Sequence, residues 1–123
     1  MNQQQALYGN FISNCYVINV QEDANDGYLE KLQHDILYAA NKFNLVGAIL
    51  DFSNVSLVNS YLFEFFKNLS KTVSLMGLKV IWVGLQPGVV SALIDLNAQI
   101  DDIYTAVNVQ FAINCINSKE IVC

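Results

Sequence analysis

Two short runs, Gly47–Phe52 (GAILDF) and Lys79–Gly84 (KVIWVG), constrain this chain more than any other feature. Each is almost continuously apolar and bounded by glycine or polar residues, which is the pattern of a strand covered on both faces rather than one with a wet side. Two such strands need cover above and below, so they are read as the central strands of a layered α/β domain. Between them Leu62, Phe66, Leu69, Val73 and Met76 trace one stripe of a helix, and Gly77 suits the left-handed residue that ends it.

The remaining pattern fills the same architecture. Ala6–Ile12 and Cys15–Val20 read as strands, joined by a hairpin turn at Ser13-Asn14. After a polar loop, Tyr28–Phe43 reads as a helix with Leu29, Leu32, Ile36, Ala39, Ala40 and Phe43 on its inner face and His34 on its wet face. Pro87 opens a third helix, where its missing N–H costs nothing; Val89, Val90, Leu93 and Ile94 supply its inner face and Asn97 its cap. A short strand at Ile103–Thr105 follows. A last helix across Val109–Asn117 turns Val109, Ala112, Ile113 and Ile116 inward. There is no linker and no internal repeat. The expectation is one α/β domain over residues 1–123, with a central mixed sheet of about five strands and about four helices.

Composition narrows the function classes. With 54% hydrophobic and 14% charged residues in 123, the chain can fill a core of its own. No apolar run reaches the roughly 18 to 20 residues of a membrane span, and the start MNQQQALYGN lacks the layout of a signal peptide, so a cytoplasmic protein without a membrane partner is expected. All six basic residues are lysines and the net charge is −5. Without arginine the chain lacks the bidentate fork for phosphate and guanine edges, and its sparse acidic surface argues against nucleic acid. Cys15, Cys115 and Cys123 show no metal or disulfide spacing and are expected as thiols. One histidine on a wet face, with no GxGxxG or GxxxxGK[ST] loop, argues against an enzyme and against a cofactor or metal.

Two loops at the carboxyl ends of strands carry the polar residues of interest. Asp51 and Ser53 follow the first central strand. Asp51 read as a phosphoacceptor, with Glu22 and Asp23 holding a metal, lacks the accompanying hydroxyl and lysine of a receiver domain; the alternative is a carboxylate bonding to loop amides or to a helix start. Asn59 and Ser60 stand before the helix that carries Leu62 to Met76. Both are preferred N-caps, and Glu64 is placed in the first turn, where it suits the helix dipole. Ser60 at the mouth of a helix is also open to a kinase, and a phosphate there is tolerated by the helix N-terminus. The aromatic block beside it cannot be buried on all sides: Phe66 and Phe63 belong inside, leaving Tyr61, Leu62 or Phe65 partly exposed as an interface.

The run AILDFSNVSLVNSYLFEFFKNLSKTVSLMGLKVIWVGLQPGVVSALIDL resembles the core of a STAS domain, the fold of anti-sigma-factor antagonists, and within that family the single-domain scaffold type of the bacterial stressosome. The matching features are the strand ending in Asp51, Ser60 opening the next helix, Met76-Gly77 with Lys79 entering a strand, and the Gly84-Leu85-Gln86-Pro87 turn. The resemblance spans roughly residues 12 to 117. It implies a non-enzymatic protein that forms a large homo- and hetero-oligomer with sensor paralogues carrying a STAS domain. That assembly would hold a switch serine/threonine-protein kinase, release it when Ser60 is phosphorylated, and be reset by a phosphatase. Asn59, Tyr61, Phe65, Asp51 and Ser53 are the expected partner-binding residues. An acidic residue usual before the phosphorylated serine is here Asn59, and a second hydroxyl found in sensor paralogues falls on Ala92, with Ser91 one place off. The same resemblance leaves two other readings: an anti-sigma-factor antagonist acting by partner switching, and a small-ligand-binding module using the crevice near Asp51 and Gly84–Pro87.

Overall fold

A computed structural model describes residues 9–22, 24–56, 58–95 and 103–118. The chain runs β1 (Asn10–Ile12), β2 (Cys15–Asn19), α1 (Asp26–Lys42), β3 (Gly47–Asp51), α2 (Ser60–Leu75), β4 (Lys79–Val83), α3 (Pro87–Asp95), β5 (Tyr104–Ala106) and α4 (Val109–Asn117). The five strands form one sheet in the order β1-β2-β3-β4-β5, with β1 antiparallel to β2 and every other pair parallel. This is the mixed α/β sheet that the two apolar runs called for.

Topology decides where the helices lie. A parallel crossover is right-handed in nearly every known case, and three successive crossovers stepping in one direction leave their helices on the same face. Accordingly Leu32 and Ile36 of α1, Phe63 and Phe66 of α2, and Val89 and Leu93 of α3 share one core with Tyr16, Ile18, Leu50 and Trp82 of the sheet. The alternate residues of the same strands, Cys15, Val17, Ile49, Ile81 and Val83, face the other way and are covered by Ala112 and Ile113 of α4. Each fully buried Leu, Ile or Phe here contributes about 1.5–3 kcal/mol of transfer free energy. Burial on both faces is why β3 and β4 read as unbroken apolar runs.

The hairpin turn sits at Ser13 (φ 50°) and Asn14 (φ 66°), both left-handed as a tight two-residue turn requires, and Gly77 ends α2 at φ 96°. Several expectations are corrected. Met76 is the C-cap of α2 and 41% exposed, because the helix stops before its stripe reaches that position. Val90 and Ile94 point outward from α3, which covers the sheet only through Val89 and Leu93. Phe43 lies just beyond α1 and is exposed, stacking edge-on to Phe11 rather than entering the core. Strand β5 is shifted one residue, because Tyr104 to Ala106 pair with Ile81 to Val83 while Ile103 packs beneath. Cys15 is a free buried thiol as expected, raised in pKa by burial, whereas Cys115 is disulfide-bonded. His34 is on the wet face of α1. Residues 6–8 of the first expected strand, Asp23 and the Asn97 cap lie outside the described residues.

Candidate functional site

Parallel strands deliver their carboxyl ends, and the loops that leave them, to one edge of the sheet. On that edge the chain builds two adjoining groups. The first is a lock between the β3–α2 and β4–α3 loops. Asp51 Oδ1 accepts the Ser53 N–H at 2.9 Å and also the Ser53 hydroxyl, the local bond by which aspartate shapes a turn. The Ser53 carbonyl in turn accepts from Gln86 Nε2 at 2.7 Å. Gly84 lies against this pair with φ 71°, and a Cβ there would collide with Ser53 Oγ and come within 2.9 Å of Asp51 Oδ1. Only glycine fits, both for backbone angle and for space. Asp51 Oδ1 thus bonds one loop amide and one hydroxyl, the kind of bonding that the alternative to a phosphoacceptor describes. Glu22 is likewise occupied, accepting from Ser56 N at 3.0 Å and Ser56 Oγ at 2.8 Å.

The second group is the mouth of α2. Asn59 has extended backbone (φ −96°, ψ 175°), its Oδ1 accepts the Leu62 N–H at 2.8 Å, and its carbonyl accepts the Phe63 N–H at 3.0 Å. Asn59 is thus the N-cap, and the same chemistry recurs at Asn25 before α1 and Asn108 before α4. Ser60 is the first helical residue, exposed, and among the described residues its hydroxyl makes no hydrogen bond. The expectation that Ser60 also caps the helix is corrected: asparagine has taken that role, and the serine hydroxyl has no partner among the described residues. Glu64 is corrected too, since the first turn holds no acidic residue and Glu64 stands one turn further in.

Tyr61, 60% exposed, donates its hydroxyl to Asp26 Oδ1 at 3.1 Å and so ties the start of α2 to the start of α1. The Asp26 carboxylate, which accepts that bond and repels a phenolate, pushes the Tyr61 hydroxyl up in pKa. Phe65, four residues on and on the same helix face, is half-buried and packs edge-on against Phe66 at 5.2 Å. Of the expected partner-binding residues, Asn59 and Tyr61 flank Ser60, Asp51 and Ser53 form the neighbouring lock, and Phe65 lies a turn deeper. Sequence reasoning missed Asp26 and Ser56, and placed Gln86 in the Gly84–Pro87 turn without finding its partner. Their contacts to Tyr61, Glu22 and Ser53 span more than thirty residues, and no local pattern signals them.

Charge around Ser60 is acidic. Glu64 follows one turn later and Asp26 is held by the adjacent Tyr61, while the first lysine of α2, Lys67, is seven residues along, about 10 Å of helix rise. The first-turn N–H groups of Ser60 and Tyr61 have no acceptor among the described residues and are the local donors for an anion.

This arrangement, a parallel sheet with an antiparallel β1 on its edge, three helices on one face and α4 on the other, is the STAS fold. In particular it resembles RsbS. A serine-to-glutamate variant of RsbS from Moorella thermoacetica superposes with a TM-score of 0.77 at 17% identity, over 91% of this chain and 95% of that one. A chain of the stressosome, described as a signal integration and transduction hub, gives a TM-score of 0.76 at 19% identity, over 88% and 94%. The protein TM1081, solved by NMR, gives 0.71 at 14% identity, over 97% and 94%. At these identities the likeness is one of fold. No protein-family model and no curated protein sequence matches the chain. Among the described residues, no helix is long and apolar enough to cross a membrane.

Proposed function

We propose that this protein is a non-enzymatic scaffold of a stressosome-type complex, which holds a switch serine/threonine kinase and releases it when Ser60 is phosphorylated. The observation that carries the reading is the division of labour at the mouth of α2. Asn59 caps the helix, so the Ser60 hydroxyl is exposed and, among the described residues, uncommitted, in a chain whose fold is that of RsbS. This also accounts for Asn59, which replaces an acidic residue yet keeps the cap.

A phosphate on Ser60 adds roughly 1.5 to 2 negative charges. The two spare N–H groups tolerate it, but the neighbouring charges are acidic and the chain has no arginine to clamp it. Its main effect therefore falls on a partner seated over Ser60 and Tyr61, by repulsion and desolvation, and not on the fold of this domain. Sensor paralogues with a STAS domain and a resetting phosphatase complete the proposed cycle.

The test is to incubate the protein with its cognate switch kinase and Mg-ATP, then map phosphopeptides. One phosphate per chain on Ser60 is expected; stoichiometric phosphate elsewhere, Ser91 included, overturns the assignment.

A further inference from the structure

Three of the six lysines, Lys67, Lys71 and Lys79, border one cleft of about 240 Å³ between the C-terminal half of α2 and the first residues of β4 and β5, away from Ser60. Lys67 and Lys71 are spaced four apart on α2, a like-charge pair that by itself destabilises a helix. Among the described residues none of the three forms an ion pair, although acidic residues outnumber lysines eleven to six. Two of the ammonium groups rest on aromatic faces: Lys79 Nζ lies 5.0 Å from the ring centre of Tyr104, which lines the cleft, and Lys67 Nζ 5.8 Å from that of Phe63, which does not. The rest of the cleft wall is mostly apolar, with Ser70 and Ser74 as polar members, and Trp82 and Ile103 carry it into a second cavity of about 250 Å³ bounded by Leu85, Val90 and Leu93. Outward-facing Val90, which the sheet does not use, thereby lines a groove.

We propose that this cleft binds a small amphiphilic anion. Its carboxylate or phosphate sits among the Lys67, Lys71 and Lys79 ammonium groups, and its apolar body runs over Trp82 toward Leu93. Three lysines that line one end of a largely apolar groove, and that form no ion pair among the described residues, match a ligand that has both parts. The site is independent of Ser60, so it stands or falls separately from the scaffold reading.

Trp82 is the sole tryptophan and forms the floor shared by both cavities, so its fluorescence reports occupancy. Dodecanoate, kept below its micelle concentration, is the probe, with dodecyltrimethylammonium as the cationic control. A saturable fluorescence change is expected with dodecanoate only, weakened by added salt. The Lys71→Gln/Lys79→Gln variant should bind on the order of tenfold more weakly, the loss expected for a charge-assisted contact. That variant should melt close to wild type, because the Lys67–Lys71 repulsion it removes offsets the Lys79–Tyr104 contact it loses, and Lys71→Arg/Lys79→Arg should retain binding. Equal binding of the cationic amphiphile, unchanged dodecanoate affinity in the Gln variant, or a lowered melting temperature without lost affinity overturns the proposal. So does binding to anionic phospholipid vesicles with no response to free dodecanoate, which would assign the lysines to a membrane surface.

Discussion

Replacing Asn59 and Ser60 separately by alanine distinguishes the cap from the free hydroxyl. Asn59 contributes one side-chain bond, at 2.8 Å to the Leu62 N–H, from an exposed position. Losing an asparagine cap of this kind costs about 1 kcal/mol, within a range of roughly 0.5–2. The backbone bond from Phe63 to the Asn59 carbonyl survives the change, so the loss should not exceed that range. Ser60 makes no side-chain bond among the described residues, and alanine is the better helix former, so Ser60→Ala should lie within about 0.5 kcal/mol of zero, on the stabilising side. Urea denaturation reads both. Asn59→Ala should lower the midpoint at unchanged slope and reduce the melting temperature by about 4 °C, while Asn59→Asp keeps the cap and Ser60→Ala leaves the curve in place. If Ser60→Ala cost as much as Asn59→Ala, the serine would be the capping residue, its hydroxyl would be committed, and the basis for a free phosphoacceptor would be gone.

Other consequences follow from the same loops and core. Gly84→Ala forces a side chain into a left-handed position and against the Asp51–Ser53 pair, so a loss of about 2–4 kcal/mol in chemical denaturation is expected; a change below 0.5 would refute the lock. Ser70 Oγ accepts from the nearly buried Trp82 Nε1 at 2.9 Å, and Ser70→Ala should cost about 1–3 kcal/mol with a shift in tryptophan emission. The raised Tyr61 hydroxyl contributes stability that is complete below the ordinary tyrosine pKa and is lost as pH rises through its raised value. Asp26→Asn should move its alkaline titration, followed by ultraviolet absorbance, to lower pH; an unchanged midpoint would mean that the Tyr61–Asp26 bond does not persist in solution.

What could be read from the sequence is what local pattern controls. The buried strands β3 and β4 announce themselves because both faces are covered, and the helical stripes through Leu29 to Ala39 and Phe66 to Val73 repeat at the period of a buried face. Positions where tertiary geometry decides were less legible. Val90 and Ile94 fit an inner stripe, but α3 meets the sheet only through Val89 and Leu93. Asn59 and Ser60 are both good caps, so composition could not say which one closes α2; only the position of Leu62 N–H settles it. The spacing of Lys67 and Lys71 is visible in the sequence, whereas their convergence with Lys79 needs the fold of α2 back onto β4.

The most direct test of the proposed scaffold role follows the kinase, by size-exclusion chromatography of the protein with a candidate STAS-domain sensor paralogue and a candidate switch kinase. All three should co-elute in a very large particle before ATP is added. After Mg-ATP the kinase should leave the wild-type particle as Ser60 becomes phosphorylated and stay on the Ser60→Ala particle. Release from the Ser60→Ala particle at the wild-type rate would contradict the claim that Ser60 is the switch.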